Sequence, residues 1–224
     1  MDQSVNGHSF TLAGVSLVAL GTGALWWPEQ GVLCVADLHL GKSERIARHG
    51  SGPLPAYDTR DTLTRLAADL TLHQARTVIC LGHSFDDLAA ARALPETERA
   101  WIAKLQAGRR WVWVEGRHDV GPADLGGTSL AELPVAPLSF RPIARPGASG
   151  EVSGHYHPSA RVESGARMMT RPAFLLDRDR VILPAYGIYT AGQQSHDATL
   201  RALMRPEALA LLTGPEVRAI PMPR

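Results

Sequence analysis

Lysine is almost missing from this chain: of 23 basic residues only Lys42 and Lys104 carry an ammonium group, and the rest are arginine. Guanidinium is the better bidentate partner for phosphate, but an arginine- and alanine-rich genome explains the bias more simply, so the count alone selects no ligand. Cysteine is scarce too. Cys34 and Cys80 each lie inside an apolar run, which excludes a disulfide framework or a cysteine-rich metal site and reads as small buried residues of a reducing compartment. No apolar stretch reaches the roughly 18 residues of a membrane span. The amino terminus, Met-Asp-Gln-Ser-Val-Asn-Gly-His, lacks the basic and apolar segments of a secretory signal. A cytoplasmic protein with no membrane contact is expected. The net charge of +1 provides no bulk field for nucleic acid, leaving room only for a local basic patch.

What is present fits one ordinary globular domain over residues 1–224: 45% hydrophobic and 20% charged residues, with no repeat, low-complexity tract or linker. Residues 1–14 read as a flexible tail. Runs at 16–20 and 22–27 suggest a hairpin about Gly21, and Gly31 to Ala36 reads as a buried strand. After a Gly- and Pro-rich loop, Asp58-Thr59 forms a candidate helix cap. Leu63, Leu66, Ala67 and Leu70 then recur at helical spacing to about His73. Thr77 to Leu81 and Trp111 to Glu115 repeat the buried-strand pattern, with a helix opened by Pro95 running between them to about Gln106. Strand, polar cluster, helix is the rhythm of a sheet with crossover helices. Beyond residue 128 short strands take over (128–133, 136–141, 150–154, 168–176, 180–184), interrupted by a helix near 197–204. This predicts a second, mainly antiparallel sheet facing the first.

The chemistry is concentrated behind the strands. Asp37/His39, His83/Asp86/Asp87, Arg117/His118/Asp119 and His155/Tyr156/His157 each follow a predicted strand, and five of the nine histidines fall in these clusters. If each segment is extended, Asp37 and His39 point to one side, as do His155 and His157, with Tyr156 turned away to pack. Mixed oxygen and nitrogen donors at a strand-end edge suit Zn, Mn or Fe. Trp26, Trp27, Trp111 and Trp113 alternate within strands and read as packing rather than base-stacking groups.

The strings DLHLGK (37–42), LGHSFDD (81–87), WVWVEGRHD (111–119) and GHYHP (154–158) resemble the motifs of calcineurin-like metallophosphoesterases. PAYDTRDTLTRL (55–66) and LPAYGIYTAG (183–192) resemble their ligase-associated DNA-damage-response endonuclease branch, found with DNA ligase, helicase and exonuclease genes. The resemblance spans about residues 15–205. It implies an α/β fold, a four-layer αββα sandwich with two facing mixed sheets flanked by helices, and two metal ions at the strand ends. Asp37, His39 and His157 would hold the first ion, His155 would serve the second, and His118 would protonate the leaving alkoxide or polarise the phosphate. Divalent cations acidify water and offset charge on phosphoryl oxygens.

This chain departs from that pattern at the second ion. His83 stands where the family has a bridging Asp, Arg117 where it has a metal-binding Asn, and Pro142 where relatives have a His. One imidazole lone pair cannot bridge two cations, and guanidinium has no lone pair to give. A single divalent ion (Mn, Zn or Fe) is therefore expected, held by Asp37, His39, His83 and His157, with the Arg117 guanidinium gripping phosphate in place of the second ion. Asp86 supplies a substitute carboxylate, orients His83, or caps the following helix. Asp119 orients His118 or nearby backbone, and Lys42 either contacts substrate phosphate or is a solvated helix-start residue. The expected activity is that of a phosphodiesterase or nuclease on a phosphodiester such as DNA, with a repair-operon ligase, helicase or exonuclease as protein partner. The competing reading is a catalytically impaired scaffold subunit of such a system.

Overall fold

The computed structural model describes residues 6–50, 57–115, 124–164, 167–188, 190 and 192–224. Apolar runs form the centre of a seven-stranded sheet in the order β1-β2-β3-β4-β5-β6-β7. Its strands are β1 (Gly7–Leu12), β2 (Val15–Leu20), β3 (Leu25–Trp27), β4 (Val32–Ala36), β5 (Thr77–Leu81), β6 (Arg110–Val114) and β7 (Thr128–Leu130). From β4 onward the strands are parallel. All five residues of β4 are buried, as a strand covered on both faces requires. Alternation sorts them: Val32, Cys34, Ala36, Ile79, Leu81, Val112 and Val114 face the second sheet, while Leu33, Val35, Val78, Cys80, Trp111 and Trp113 face helices. The two free cysteines thus lie on opposite faces of the sheet, and burial pushes both thiols up from their ordinary pKa.

The second sheet has eight strands, built from β8 (Leu133–Val135), β9 (Leu138–Arg141), β10 (Glu151–Ser153), β11 (Ser159–Ser164), β12 (Arg167–Leu176), β13 (Arg180–Ile182), β14 (Leu209–Leu212) and β15 (Arg218–Pro221). Phe140, Val152, Phe174, Val181 and Leu211 project from it into the inter-sheet core. α2 (Asp58–His73) and α4 (Glu96–Gln106) cover the outer face of the first sheet through Leu63, Leu66, Leu70, Ile102 and Leu105. α5 (Ala198–Leu203) covers the second through Leu200, with Met204 just beyond it. Helix, sheet, sheet, helix is the αββα arrangement, with the short helices α1 (Lys42–Arg48) and α3 (Leu88–Ala93) at its edge. Among the described residues no helix is long and apolar enough to cross a membrane.

Several local expectations need correction. Residues 7–12, read as part of a flexible tail, pair along their whole length with β2. The run at 128–133 splits: β7 joins the first sheet beside β6, and only β8 belongs to the second. The second sheet itself is as expected, mixed and mainly antiparallel, with β9, β10 and β13 parallel. Asp58 and Thr59 do not cap their own helix, which begins after Tyr57 without a side-chain cap. Instead the buried Asp58 carboxylate accepts from Ser43 N at 3.0 Å and Ser43 Oγ at 2.6 Å, and Thr59 Oγ1 accepts from Gly41 N at 2.9 Å. A capping pair therefore serves another helix, holding the end of the Asp37–Gly41 loop against α2.

This topology positions the polar clusters. β4 and β5 are parallel and in register at Ala36 and Leu81, so Asp37 and Gly82-His83 leave the same edge. β9, β10 and β13 end together at Arg141, Ser153 and Ile182, so Pro142, Gly154 and Leu183 leave theirs together. A parallel bridge between Ala36 and Ala185 joins the two edges, and the N–H groups of Tyr186 and Gly187 bond the carbonyls of Ala36 and Asp37 at 2.7 and 3.1 Å. A Cβ on Gly187 would collide with the backbone of Leu38, so only glycine permits this junction.

Candidate metal centre

Asp37, His39 and His157 each offer a ligand atom, and the three atoms lie within 4.8 Å of one another. Among the described residues this is the one group so placed. His39 Nε2 faces His157 Nε2 at 3.2 Å, and His157 Nε2 lies 3.6 Å from Asp37 Oδ1. Asp37 and His39 are buried, and His157 is half-buried.

The outward atoms are held, which leaves the inward ones to converge. Asp37 Oδ2 accepts from the backbone N–H of His155 at 2.8 Å, freeing Oδ1. His39 Nδ1 lies 2.7 Å from Asp86 Oδ1. A carboxylate there accepts the Nδ1 proton and leaves the Nε2 lone pair directed at the cluster, the arrangement of a carboxylate–histidine–metal unit. Burial lowers the His39 pKa, aided by His157 and His83 and opposed by Asp86 and Asp37, which favours a neutral, ligating ring. Burial raises the Asp86 carboxyl, but hydrogen bonds from His39 and Arg45 overcome it and hold Asp86 at about 2. This donor set, one carboxylate oxygen and two imidazole nitrogens, suits a borderline divalent cation.

How the residues converge differs from the sequence expectation. Strand alternation is not the cause, because β4 stops at Ala36 and β10 at Ser153. Asp37, His39, His155 and His157 all adopt left-handed backbone, with φ of 51°, 49°, 77° and 45°, and so does His83 at 30°. These five account for all but two of the seven non-glycine residues with positive φ among the described residues. Each costs of order 1 kcal/mol or more. Strain concentrated in one set of imidazoles and a carboxylate marks a site held in place by the surrounding fold. Gly154 sits inside this turn, where a Cβ would stand 2.7 Å from Ala36 Cβ and 2.8 Å from Asp37 Oδ2.

The remaining residues are distributed around this centre. His83 lies beside the triad rather than within it, its ring 4.7 Å from that of His39 between centroids. His155 is exposed, contributes its backbone N–H to Asp37 and meets Tyr156 in an edge-to-face pair with 5.1 Å between ring centroids. Tyr156 packs into the core of the second sheet. Trp27, Trp111 and Trp113 are core residues, and Trp26 packs at the margin of the helix-side core. Pro142 reaches the site: a Cβ built on Gly82 would stand 3.3 Å from Pro142 Cβ and 3.7 Å from Asp37 Oδ1. Lys42 is the first residue of α1. Arg117, His118 and Asp119 lie outside the described residues.

Asp86 takes a role none of the three sequence alternatives gave it, since its carboxylate orients His39, not His83. The helix cap is Asp87, whose Oδ1 accepts from Ala90 N at 2.6 Å. The two carboxylates should therefore separate in experiment. Asp86→Ala is expected to weaken Mn²⁺ or Zn²⁺ affinity about 10- to 100-fold, read by calorimetric titration. Asp87→Ala should leave affinity in place and reduce unfolding stability by about 1 kcal/mol.

No family model and no curated protein sequence matches the chain. Among solved structures, the chain is similar to the crystal structure of Pseudomonas putida nuclease MPE, with a TM-score of 0.76 and 24% identity over 96% of this chain and 100% of that one. That likeness extends over both sheets and supports the two-sheet fold.

Proposed function

We propose that this chain is a metal-dependent phosphodiesterase that cleaves nucleic acid, with one ion held by Asp37, His39 and His157. The observation carrying this reading is the Asp86–His39–His157–Asp37 constellation at the joined edges of the sheets. The nuclease named for the similar fold supports the substrate class, as does the motif resemblance to the ligase-associated endonuclease PdeM. When bound, the ion supplies a Lewis acid for phosphoryl oxygen and acidifies an attacking water. His39 keeps its Nδ1 proton on Asp86 and presents Nε2 inward. His118 delivers a proton to the leaving oxygen, and Arg117 holds a non-bridging phosphate oxygen. His83, with its ring against His39, is assigned as the fourth donor. His155, exposed and outside the triad, is given the role of second-ion ligand by the motif resemblance alone, and a single-ion site leaves that role unused. The cellular setting is a cytoplasmic DNA-repair system with ligase, helicase and exonuclease partners.

Hydrolysis of bis(p-nitrophenyl) phosphate with Mn²⁺ tests this reading, by comparing the wild type with His118→Ala. Loss of a general acid is expected to lower kcat about 10²- to 10⁴-fold while metal content stays constant. Equal rates for both proteins would overturn the assignment of His118. A wild type inactive with Mn²⁺, Zn²⁺ and Fe²⁺ would favour the second reading, a binding subunit without catalysis. Pro142 beside Asp37 and a histidine at position 83 are what speak for that reading.

A further inference from the structure

We infer that Arg45 binds a phosphate of the substrate chain next to the scissile one, so that the site selects polymeric nucleic acid over small phosphodiesters. This rests on the phosphodiesterase reading and adds a residue that no sequence motif singled out.

Asp86 is a two-sided carboxylate. Oδ1 bonds His39, and Oδ2 accepts from Arg45 Nε. The Asp86 side chain is only 3% exposed, whereas that of Arg45 is 38% exposed. Arg45 is therefore anchored at its inner edge, one carboxylate and one imidazole away from the metal centre, with its head reaching water. Among the described residues, no hydrogen-bond partner meets its two terminal nitrogens.

Arg48, one turn on in the same helix, is the internal comparison. It is equally exposed, yet Nε and one terminal nitrogen bond Glu44, and the same terminal nitrogen bonds Asp87. Arg48 thus already commits Nε and one terminal nitrogen to two carboxylates. Arg45 keeps the fork of donors that suits bidentate phosphate, and the anchoring carboxylate fixes its direction, which lowers the entropy cost of binding. Lys42, three residues earlier on the same helix face, adds a second cation to this side. A small diester reaching the ion places its single phosphate at the metal and has none left for Arg45. A polynucleotide has one at each step.

The test compares wild-type, Arg45→Ala and Arg45→Lys proteins, each loaded with Mn²⁺, on bis(p-nitrophenyl) phosphate and on a fluorescent single-stranded oligonucleotide. For Arg45→Ala, KM for the oligonucleotide should rise about 10-fold or more, as expected for a lost charge-assisted hydrogen bond, while the small ester loses much less. The slope of log(kcat/KM) against log salt should become shallower by about 0.7, the value for one released phosphate contact on a single strand. Arg45→Lys should restore that slope but not the full KM. Equal losses on both substrates would overturn the inference, because Arg45 would then act through Asp86 on the metal. An unchanged oligonucleotide KM would overturn it as well. Should the wild type cleave neither substrate, the phosphodiesterase reading falls. Fluorescence anisotropy on the same oligonucleotide then decides: weaker binding by Arg45→Ala retains the contact, and equal binding removes it.

Discussion

His39→Ala protein, loaded with Mn²⁺ and dialysed, is expected to retain almost no metal and to lose the hydrolysis proposed above, while folding as well as the wild type. Two observations make His39 the most sensitive position. It contributes one of three donors that lie within 4.8 Å of each other, and its other ring nitrogen bonds Asp86. Losing a group that merely orients a ligand weakens affinity about 10- to 100-fold, so losing the ligand itself should exceed about 100-fold. Without an ion, two effects of His39 on folding oppose each other: its buried imidazole faces His157 at 3.2 Å, while its Nδ1 satisfies the buried Asp86 carboxylate at 2.7 Å. The melting temperature without metal should therefore change by much less in His39→Ala than the shift that metal gives the wild type. Added Mn²⁺ should stabilise only the wild type, by about 2.7 kcal/mol when free metal is 100 times Kd. Metal analysis and thermal melts with and without Mn²⁺ check both halves. A variant that keeps its metal-dependent rise in melting temperature would exclude His39 as a ligand.

The sequence exposed the parts of this site that rest on strand burial. β4, β5 and β6 carry apolar runs because both of their faces are covered, and parallel pairing then brings Asp37 and His83 to one edge. The convergence of Asp37 with His39 was legible, but for a reason that does not hold: the two residues meet through left-handed turns, not strand alternation. Asp and His tolerate that conformation better than most residues without demanding it, so nothing local announces it. The Asp86–His39 bond spans 47 positions and depends on how the 82–87 turn packs on the 37–41 loop, through the bridge of Leu40 to Phe85. No periodicity encodes such a contact. Asp58 shows the same limit from the other side. Its place before an amphipathic run makes it look like the cap of α2, while packing assigns it to Ser43. β14 and β15 are harder to read despite the Gly214-Pro215 turn between them, because a short apolar run such as Ala208 to Leu212 suits helix and strand alike.

The combined change His83→Asp, Arg117→Asn and Pro142→His is expected to raise metal content from one ion per chain to two. It puts in order the side chains that distinguish this chain from the family it resembles. His83 already lies against His39, with a ring separation of 4.7 Å, and a carboxylate in that place has lone pairs for two cations where imidazole has one. Pro142 and the Oδ1 of Asp37 both lie near Gly82, so an imidazole at position 142 would add a donor to this edge of the site. On the motif resemblance, Arg117→Asn exchanges a guanidinium, which has no lone pair for a cation, for an amide that has one. A second ion shares the charge on the transferring phosphoryl group, and turnover should rise about 10²-fold or more, comparable to restoring a lost oxyanion donor. Metal counting by elemental analysis, alongside kcat on bis(p-nitrophenyl) phosphate, separates the outcomes. Two ions with higher turnover would trace the reduced site to these three positions. A wild type that already holds two tightly bound ions would end the single-ion reading, and a triple variant that still binds one would mean that backbone geometry, not donor chemistry, closes the second site.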